Sequence, residues 1–555
     1  MKHALRLPLR LLSLVTLLYG FSICASPLHI SNVKGYTLNT QGDLINFSDM
    51  VIEDGKVRAI GDEALGHGYP TAEVLDGQGK TLLPGLIDAH GHLLGLGDTL
   101  LAIDVRETAS AHDAAQQVAD YAKSHPKLSW IQGRGWNQVL WPDKAFPTAA
   151  ILDEKIADKP VWLTRVDGHA GWANSAALRI AGIDSSTVSP EGGKILTDDN
   201  GNPTGVLIDT AMGLVEQHLP KLDDQLRIEQ LNAAGEHLTA LGITSMHDAG
   251  IDYATYNLYQ ALAEQGHLPL RVYAMLSATD PQLPKMLAAG PIQRADAKLL
   301  IRSVKAYGDG ALGSRGAALL KPYSDDPHNH GLLVTAEEKL PDLFNQVISK
   351  DFALHFHAIG DRANRLALDH FEQVFERIGG KALRNRIEHA QVIALEDIKR
   401  FKTLDIIPSM QPTHATSDMN MAEDRIGKQR LQGAYAWQTF LQQGSILAFG
   451  SDFPVELANP FYGIHAAVTR QDRNNQPKNG WVPEQALTVQ QAFKAFTLDA
   501  AYAADQDTQI GALLPGYWAD FILVDQDPFT INPQNLWKIE VQSTYIAGEE
   551  VFAKE

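Results

Sequence analysis

A few polar residues stand where apolar runs of the 555-residue sequence end. His90 and His92 close the stretch TLLPGLIDAHGH at a spacing of two. Residues two apart on a strand point to the same side, so the two imidazoles can grip one metal ion. Gly91 between them is expected to let the backbone turn tightly. Asp88 points the same way one step deeper, so it is expected to orient a ligand rather than bind metal. Lys305 follows Ile301 and Val304 in an apolar strand, where a charged ammonium is costly. A lowered pKa or a modification is therefore expected. A neutral lysine amine can react with CO2 to form a carbamate, an anion able to bridge two metals. The alternative is a structural pairing of Lys305 with Asp309. His357 ends FALHFH, with His355 one layer deeper as a core or supporting residue. His389 ends RIEH, with Glu388 on the opposite side. Asp452 follows the buried run SILAFGS; its alternative role is to cap the next turn.

The elements that must position these residues are strands of a parallel barrel. Apolar, β-rich runs alternate with helix-like stretches, the pattern of a βα architecture. Eight runs qualify, at 82–89, 243–247, 271–276, 300–306, 352–357, 386–389, 406–410 and 446–450. They predict a (β/α)8 TIM barrel over 84–502, with its site at the C-terminal strand ends. Every polar residue named above as a candidate ligand falls at such an end. The segment from about 93 to 222 is far longer than a βα crossover needs and reads as an insertion covering the site. Strand-like segments at 26–83 and 503–555 predict one small β-sandwich domain built from both termini. Within the insertion and the loops, His169, Trp136, Arg315 and His414 are candidates for substrate contact. Trp136, Trp141, Trp162 and Trp172 hint at an apolar or aromatic substrate group, with a core role for the insertion as the alternative.

Composition narrows the function classes. Apolar residues make up 45% and charged residues 20%, values normal for a soluble protein with a large core. A formal charge of −19 leaves no basic surplus to neutralise phosphates, which argues against nucleic acid and anionic membrane. Residues 1–25 read as an export signal: Lys2, Arg6 and Arg10 precede an apolar run, with a cleavage point near Ala25. A periplasmic location without stable membrane association is the expectation, and a homo-oligomer is compatible with it. The single cysteine, Cys24, lies in that signal. Any metal site must then use His, Asp, Glu or a modified Lys.

The set HGH, Lys305, His357, His389 and Asp452 resembles the metal-dependent amidohydrolase superfamily. The stretches VKAYGDGALGSRGAAL, HAIGDRAN, RIEHAQ, FGSDFPVELANP and RVDGHAGWANSAAL resemble the branch that includes N-substituted formamide deformylases. The resemblance spans nearly the whole chain beyond the signal. It implies that His90 and His92 hold the more buried metal with Asp452 beside it. It implies that carbamylated Lys305, as N6-carboxylysine, bridges to a second metal held by His357 and His389. One or two divalent ions, Zn2+ foremost, suit such ligands. Asp452 would take a proton from metal-activated water and pass it to the leaving nitrogen. The expected function is hydrolysis of amide or other non-peptide C–N bonds in small N-acyl or N-formyl compounds. A lactonase, esterase or cyclic-amide hydrolase on the same centre is the alternative, followed by a non-catalytic exported binding protein.

Overall fold

A computed structural model describes residues 26–126, 128–165, 170–190, 193–220, 222–313 and 315–554. The export signal at 1–25 and His169 lie outside the described residues. Eight parallel strands follow one another in chain order around the sheet: β1 (Leu86–Gly91), β2 (Ile243–Ile251), β3 (Arg271–Ser277), β4 (Leu299–Tyr307), β5 (Ala353–Ala358), β6 (Arg386–His389), β7 (Ile407–Met410) and β8 (Ala448–Phe449). Each predicted run is present, with bounds moved by a few residues. Helices such as Asp361–Ile378 pack Ala367, Leu368, Phe371 and Val374 onto the strands, burying one apolar stripe.

The β8–β1 seam closes the barrel through few backbone contacts. Beyond the end of β8, Asp452 N donates to the His90 carbonyl (2.7 Å) and His92 N donates to the Phe453 carbonyl (2.8 Å). The Asp88 carboxylate fills the gap below them. It accepts from Ser451 N (3.1 Å), Ser451 Oγ (2.7 Å) and His90 N (3.0 Å). Gly450 must be glycine here, because a Cβ would lie 2.5 Å from both Asp88 Oδ1 and His90 N. Asp88 thus fastens two strands together rather than orienting a ligand side chain. Its burial pushes its pKa up to about 7, against the hydrogen bonds from Ser451 and His90 that favour the charged form.

The remaining chain forms two attachments. Strands from both ends of the sequence share one six-stranded sheet, in which Phe521–Val524 pairs antiparallel with Thr81–Pro84. A four-stranded sheet from the N-terminal segment shares its core, through Ile30, Met50, Leu82, Phe521 and Tyr545. This unit is locked to the barrel by a buried ion pair. Arg271 Nε and Nη2 donate to the two carboxylate oxygens of Asp520 at 2.6 and 2.9 Å. Both side chains are at most 5% exposed. Asp520→Ala should therefore cost about 3–5 kcal/mol of stability in urea unfolding, because it strands a buried guanidinium. A cost below about 1 kcal/mol would mean that solvent reaches the pair.

The second attachment is the long segment after β1. It builds a six-stranded sheet of its own, from Ile103–Asp104 to Gly193–Thr197. Trp136, Trp141 and Trp172 stack edge and face at 6.3 Å within its core, and Trp136 Nε1 donates to the Leu163 carbonyl at 2.8 Å. Trp162 is buried in a neighbouring cluster of the same segment.

Candidate metal centre

The polar strand ends converge. His90, His92, Lys305, His357, His389, His414 and Asp452 all line one cavity of about 380 Å³ at the C-terminal mouth of the barrel. Its wall is completed by Tyr307 and Leu312 from β4 and the loop after it, and by Asp418, Val455 and Glu456. Among the described residues, the lining beyond the strand ends comes from the loops after β4, β7 and β8 and not from the long insertion.

Two residues enter the mouth through an unusual backbone. His389 has φ 73° and Asp452 has φ 63°, the left-handed region that non-glycine residues avoid. Such residues cost about 1–3 kcal/mol each and persist where the surroundings enforce them. For His389 the consequence is directional. Strand alternation would send Glu388 and His389 to opposite faces, yet the left-handed residue at the strand end brings His389 into the mouth while Glu388 stays inside the barrel. Gly91 is required for another reason. A Cβ there would sit 2.4 Å from the Phe453 ring, so the glycine provides space rather than a tight turn.

Hydrogen bonds fix which ring nitrogens face the cavity. Glu388 Oε2 lies 2.6 Å from His90 Nδ1, and Gln411 Oε1 lies 2.8 Å from His389 Nδ1. Each oxygen accepts the Nδ1 proton, which leaves the Nε2 lone pair for the cavity. His90 Nε2 is 3.3 Å from Lys305 Nζ and 3.6 Å from Asp452 Oδ1. His92 Nε2 is 3.1 Å from Asp452 Oδ1, and His414 Nε2 is 3.7 Å from Asp452 Oδ2. The His357 and His389 rings are 4.5 Å apart, and His357 Nδ1 is 3.3 Å from Asp309 Oδ1. Asp309 does not pair with Lys305. It accepts the backbone N–H groups of Ala318, Ile359 and Gly360.

This donor set fits a cation. Burial pushes His90 down to about 4, aided by the Lys305 charge and opposed by Glu388. Burial also lowers His389 well below the ordinary imidazole range, with His357 adding to the effect. The neutral His90 and His389 imidazoles therefore offer Nε2 lone pairs beside the Asp452 carboxylate, a set of acceptors that a cation would satisfy. The ligand atoms of His90, His92 and Asp452 lie within 4.8 Å of one another, as do those of His389, His414 and Asp452. Burial alone would raise the Asp452 pKa, but the hydrogen bond to His92 and the surrounding imidazoles hold it below the usual carboxylate range.

Of the described residues expected to touch substrate, only His414 is placed in the cavity wall. Its ring is stacked 5.9 Å from His389, and its Nε2 is buried without a hydrogen-bond partner. Trp136 belongs to the core of the insertion. Arg315 pairs with Asp325, its Nη2 donating at 2.8 Å, and does not line the cavity. His355 lies one layer deeper than His357, as expected, with its Nδ1 3.5 Å from Glu388 Oε1. Glu388 is the functional residue that alternation hid. A carboxylate inside a buried strand was its signal, since such a charge must find partners, here His90 at 2.6 Å and Arg386 at 3.9 Å. Glu388→Gln weakens the acceptor that aligns His90, so metal affinity should fall roughly 10–100-fold. Competition against a chelating dye would measure this, and unchanged affinity would remove Glu388 from the site.

A parallel barrel with histidine and aspartate donors gathered at its C-terminal mouth defines a class, the metal-dependent hydrolases. The chain belongs to the amidohydrolase family, whose model matches residues 73–552. It is thus an enzyme, a hydrolase of carbon–nitrogen bonds. It is 34% identical over 535 residues to the Bacillus subtilis protein YtcJ, covering 94% of this chain and 98% of that one. It is 25% identical to the N-substituted formamide deformylase of Arthrobacter pascens, over 90% of this chain and 94% of that one. Among solved structures, an uncharacterized metal-dependent hydrolase from Pyrococcus horikoshii superposes with a TM-score of 0.75 at 28% identity, covering 92% of this chain and 99% of the other.

Proposed function

We propose that the cavity hydrolyses a small amide of the N-formyl or N-acyl type, with Asp452 as the proton carrier. One observation carries this reading: Asp452 is the single carboxylate on which His90, His92 and His414 converge, at 3.6, 3.1 and 3.7 Å. The deformylase relative supports the choice of substrate class. His90, His92 and Asp452 would hold one divalent ion, Zn2+ by ligand type, and Lys305 as a carbamate would hold a second with His357 and His389. Bound there, a divalent ion supplies Lewis acidity, which acidifies water and polarises a carbonyl.

The chain's own residues do the rest. Glu388 and Gln411 hold the His90 and His389 rings in their ligand tautomers. Asp452 receives the proton of the attacking water and delivers it to the departing nitrogen, so the amine leaves neutral. Its low basicity suits it to water that is already acidified. His414, with an unpartnered Nε2 beside Asp452, donates a hydrogen bond to the oxygen that gains charge as water adds to the carbonyl. The size of the cavity, about 380 Å³, limits the reacting part to a small acyl group and its nitrogen.

Purified protein should be stripped with a chelator, reloaded with Zn2+ or Mn2+, and assayed on N-formyl amines, N-acetyl amines and their matched esters and lactones. Amide hydrolysis should vanish on stripping and return on reloading. Metal-loaded protein inert towards every amide but active on esters would transfer the reading to an esterase. Equal rates with and without metal would end it.

A further inference from the structure

Next to the catalytic cavity lies a second one of about 450 Å³ that the mechanism above does not use. Glu456 is part of the wall of both. The helix Pro412–Asp418 stands between them and presents His414 and Asp418 to one cavity and Thr413, Thr416 and Ser417 to the other. Across the dividing ridge, the Ser417 hydroxyl donates to Glu456. The two cavities are therefore neighbours that share Glu456 and are divided by this helix, with the Ser417–Glu456 contact on the dividing ridge.

The far half is provided with donors that lack acceptors. Trp537 Nε1 and Thr413 Oγ1 are buried without a hydrogen-bond partner, and both residues line this cavity. Arg473 lies over the Tyr462 ring at 4.6 Å and forms no ion pair among the described residues. The acids on the wall are already engaged. Asp472 Oδ1 accepts from the backbone of Asn474 (2.8 Å) and Gln476 (2.9 Å), and Glu456 accepts from Ser417. Both ring nitrogens of His465 face backbone oxygens, those of Pro533 and Asp472. A guanidinium, an indole N–H and a hydroxyl that share one cavity call for an anionic acceptor with two oxygens.

We propose that this second cavity is a subsite for the part of the substrate remote from the scissile bond, and that it binds a carboxylate there. The inference rests on the amide-hydrolase reading of the first cavity. It deepens that reading to amides whose amine portion carries a terminal acid on a flexible chain long enough to cross the Ser417–Glu456 ridge.

The test compares an N-formyl ω-amino acid with its methyl ester. Wild-type enzyme should favour the acid by roughly tenfold or more in kcat/KM, expressed in KM. Arg473→Gln and Trp537→Phe should each move the acid-to-ester ratio towards unity. Calorimetric binding to metal-loaded Asp452→Asn protein reads the same preference without turnover. Equal binding and equal turnover of acid and ester, or a preference that survives Arg473→Gln, would overturn the subsite. If the acid binds in an Arg473-dependent way while wild-type enzyme hydrolyses neither compound, the subsite stands and the hydrolase reading fails.

Discussion

Asp452→Asn protein should retain most of its metal and lose turnover by about 10²–10⁴-fold. The substitution preserves shape, and the amide oxygen can still accept from His92. What it removes is the capacity to take a proton. An amide oxygen can keep the His92 hydrogen bond at 3.1 Å, so a loss of activity with metal in place isolates proton transfer. Turnover should be compared at equal metal content by elemental analysis. Near-normal rates in a metal-loaded variant would assign the proton to another group, with His414 Nε2, 3.7 Å from Asp452 Oδ2, as the next candidate. The same substitution has a stability signature in the metal-free protein. Asp452 has a depressed folded pKa, so its charge contributes stability above the unfolded value of about 3.9 and loses it as pH falls through the folded value. Asn at this position should flatten that acid limb.

Lys305→Ala should be the second large effect, with a loss of metal affinity beyond the roughly 10–100-fold typical of outer-shell partners. Lys305 is 1% exposed, and no carboxylate lies within ion-pair distance of its Nζ among the described residues. Its nearest polar neighbour is the His90 Nε2 lone pair at 3.3 Å, and the Tyr307 ring lies 4.9 Å away. Burial lowers its pKa, while Glu388 and Asp452 oppose the shift without cancelling it. The neutral amine that attacks CO2 is therefore available at a lower pH than in an ordinary lysine. In the proposed modification a new N–C bond would form as the amine releases one proton, and the resulting carbamate would be an anion beside the imidazoles. Carbon-labelled bicarbonate should give a carbamate resonance in wild-type protein that Lys305→Ala lacks. A metal-loaded, active wild-type protein without that resonance would leave Lys305 unmodified.

The barrel was legible because its strands are apolar and β-rich, and because a polar residue in such a run is costly enough to need a reason. His90, Lys305, His357 and Asp452 were found by that criterion, and the cavity contains all four. Legibility ended where backbone geometry broke the period-two rule. Glu388 and His389 are adjacent, and only the left-handed φ of 73° at His389 lets both serve one site. Asp309 lies beyond the end of β4, where the chain has turned away, so its proximity in sequence to Lys305 carried no spatial meaning. Trp136 shows a different limit. A tryptophan fills a core and lines a pocket with the same chemistry, and only the tertiary arrangement separates the two. Arg315 is neutralised within its own loop by Asp325, a pairing ten residues away that no pattern announces.

The seam fastened by Asp88 also sets a time order. The bonds from Ser451 to Asp88 span 363 residues, and the contact between His92 and Asp452 spans 360. A ribosome makes the first two candidate metal ligands early and the last nearly at the end, and contacts so far apart in sequence form late. Until the eighth strand docks, the two histidines are an open pair with weak hold on any ion. Tight metal uptake at this site would therefore report that the whole barrel has been completed, and a chain truncated before Ser451 would carry half a grip and no working centre.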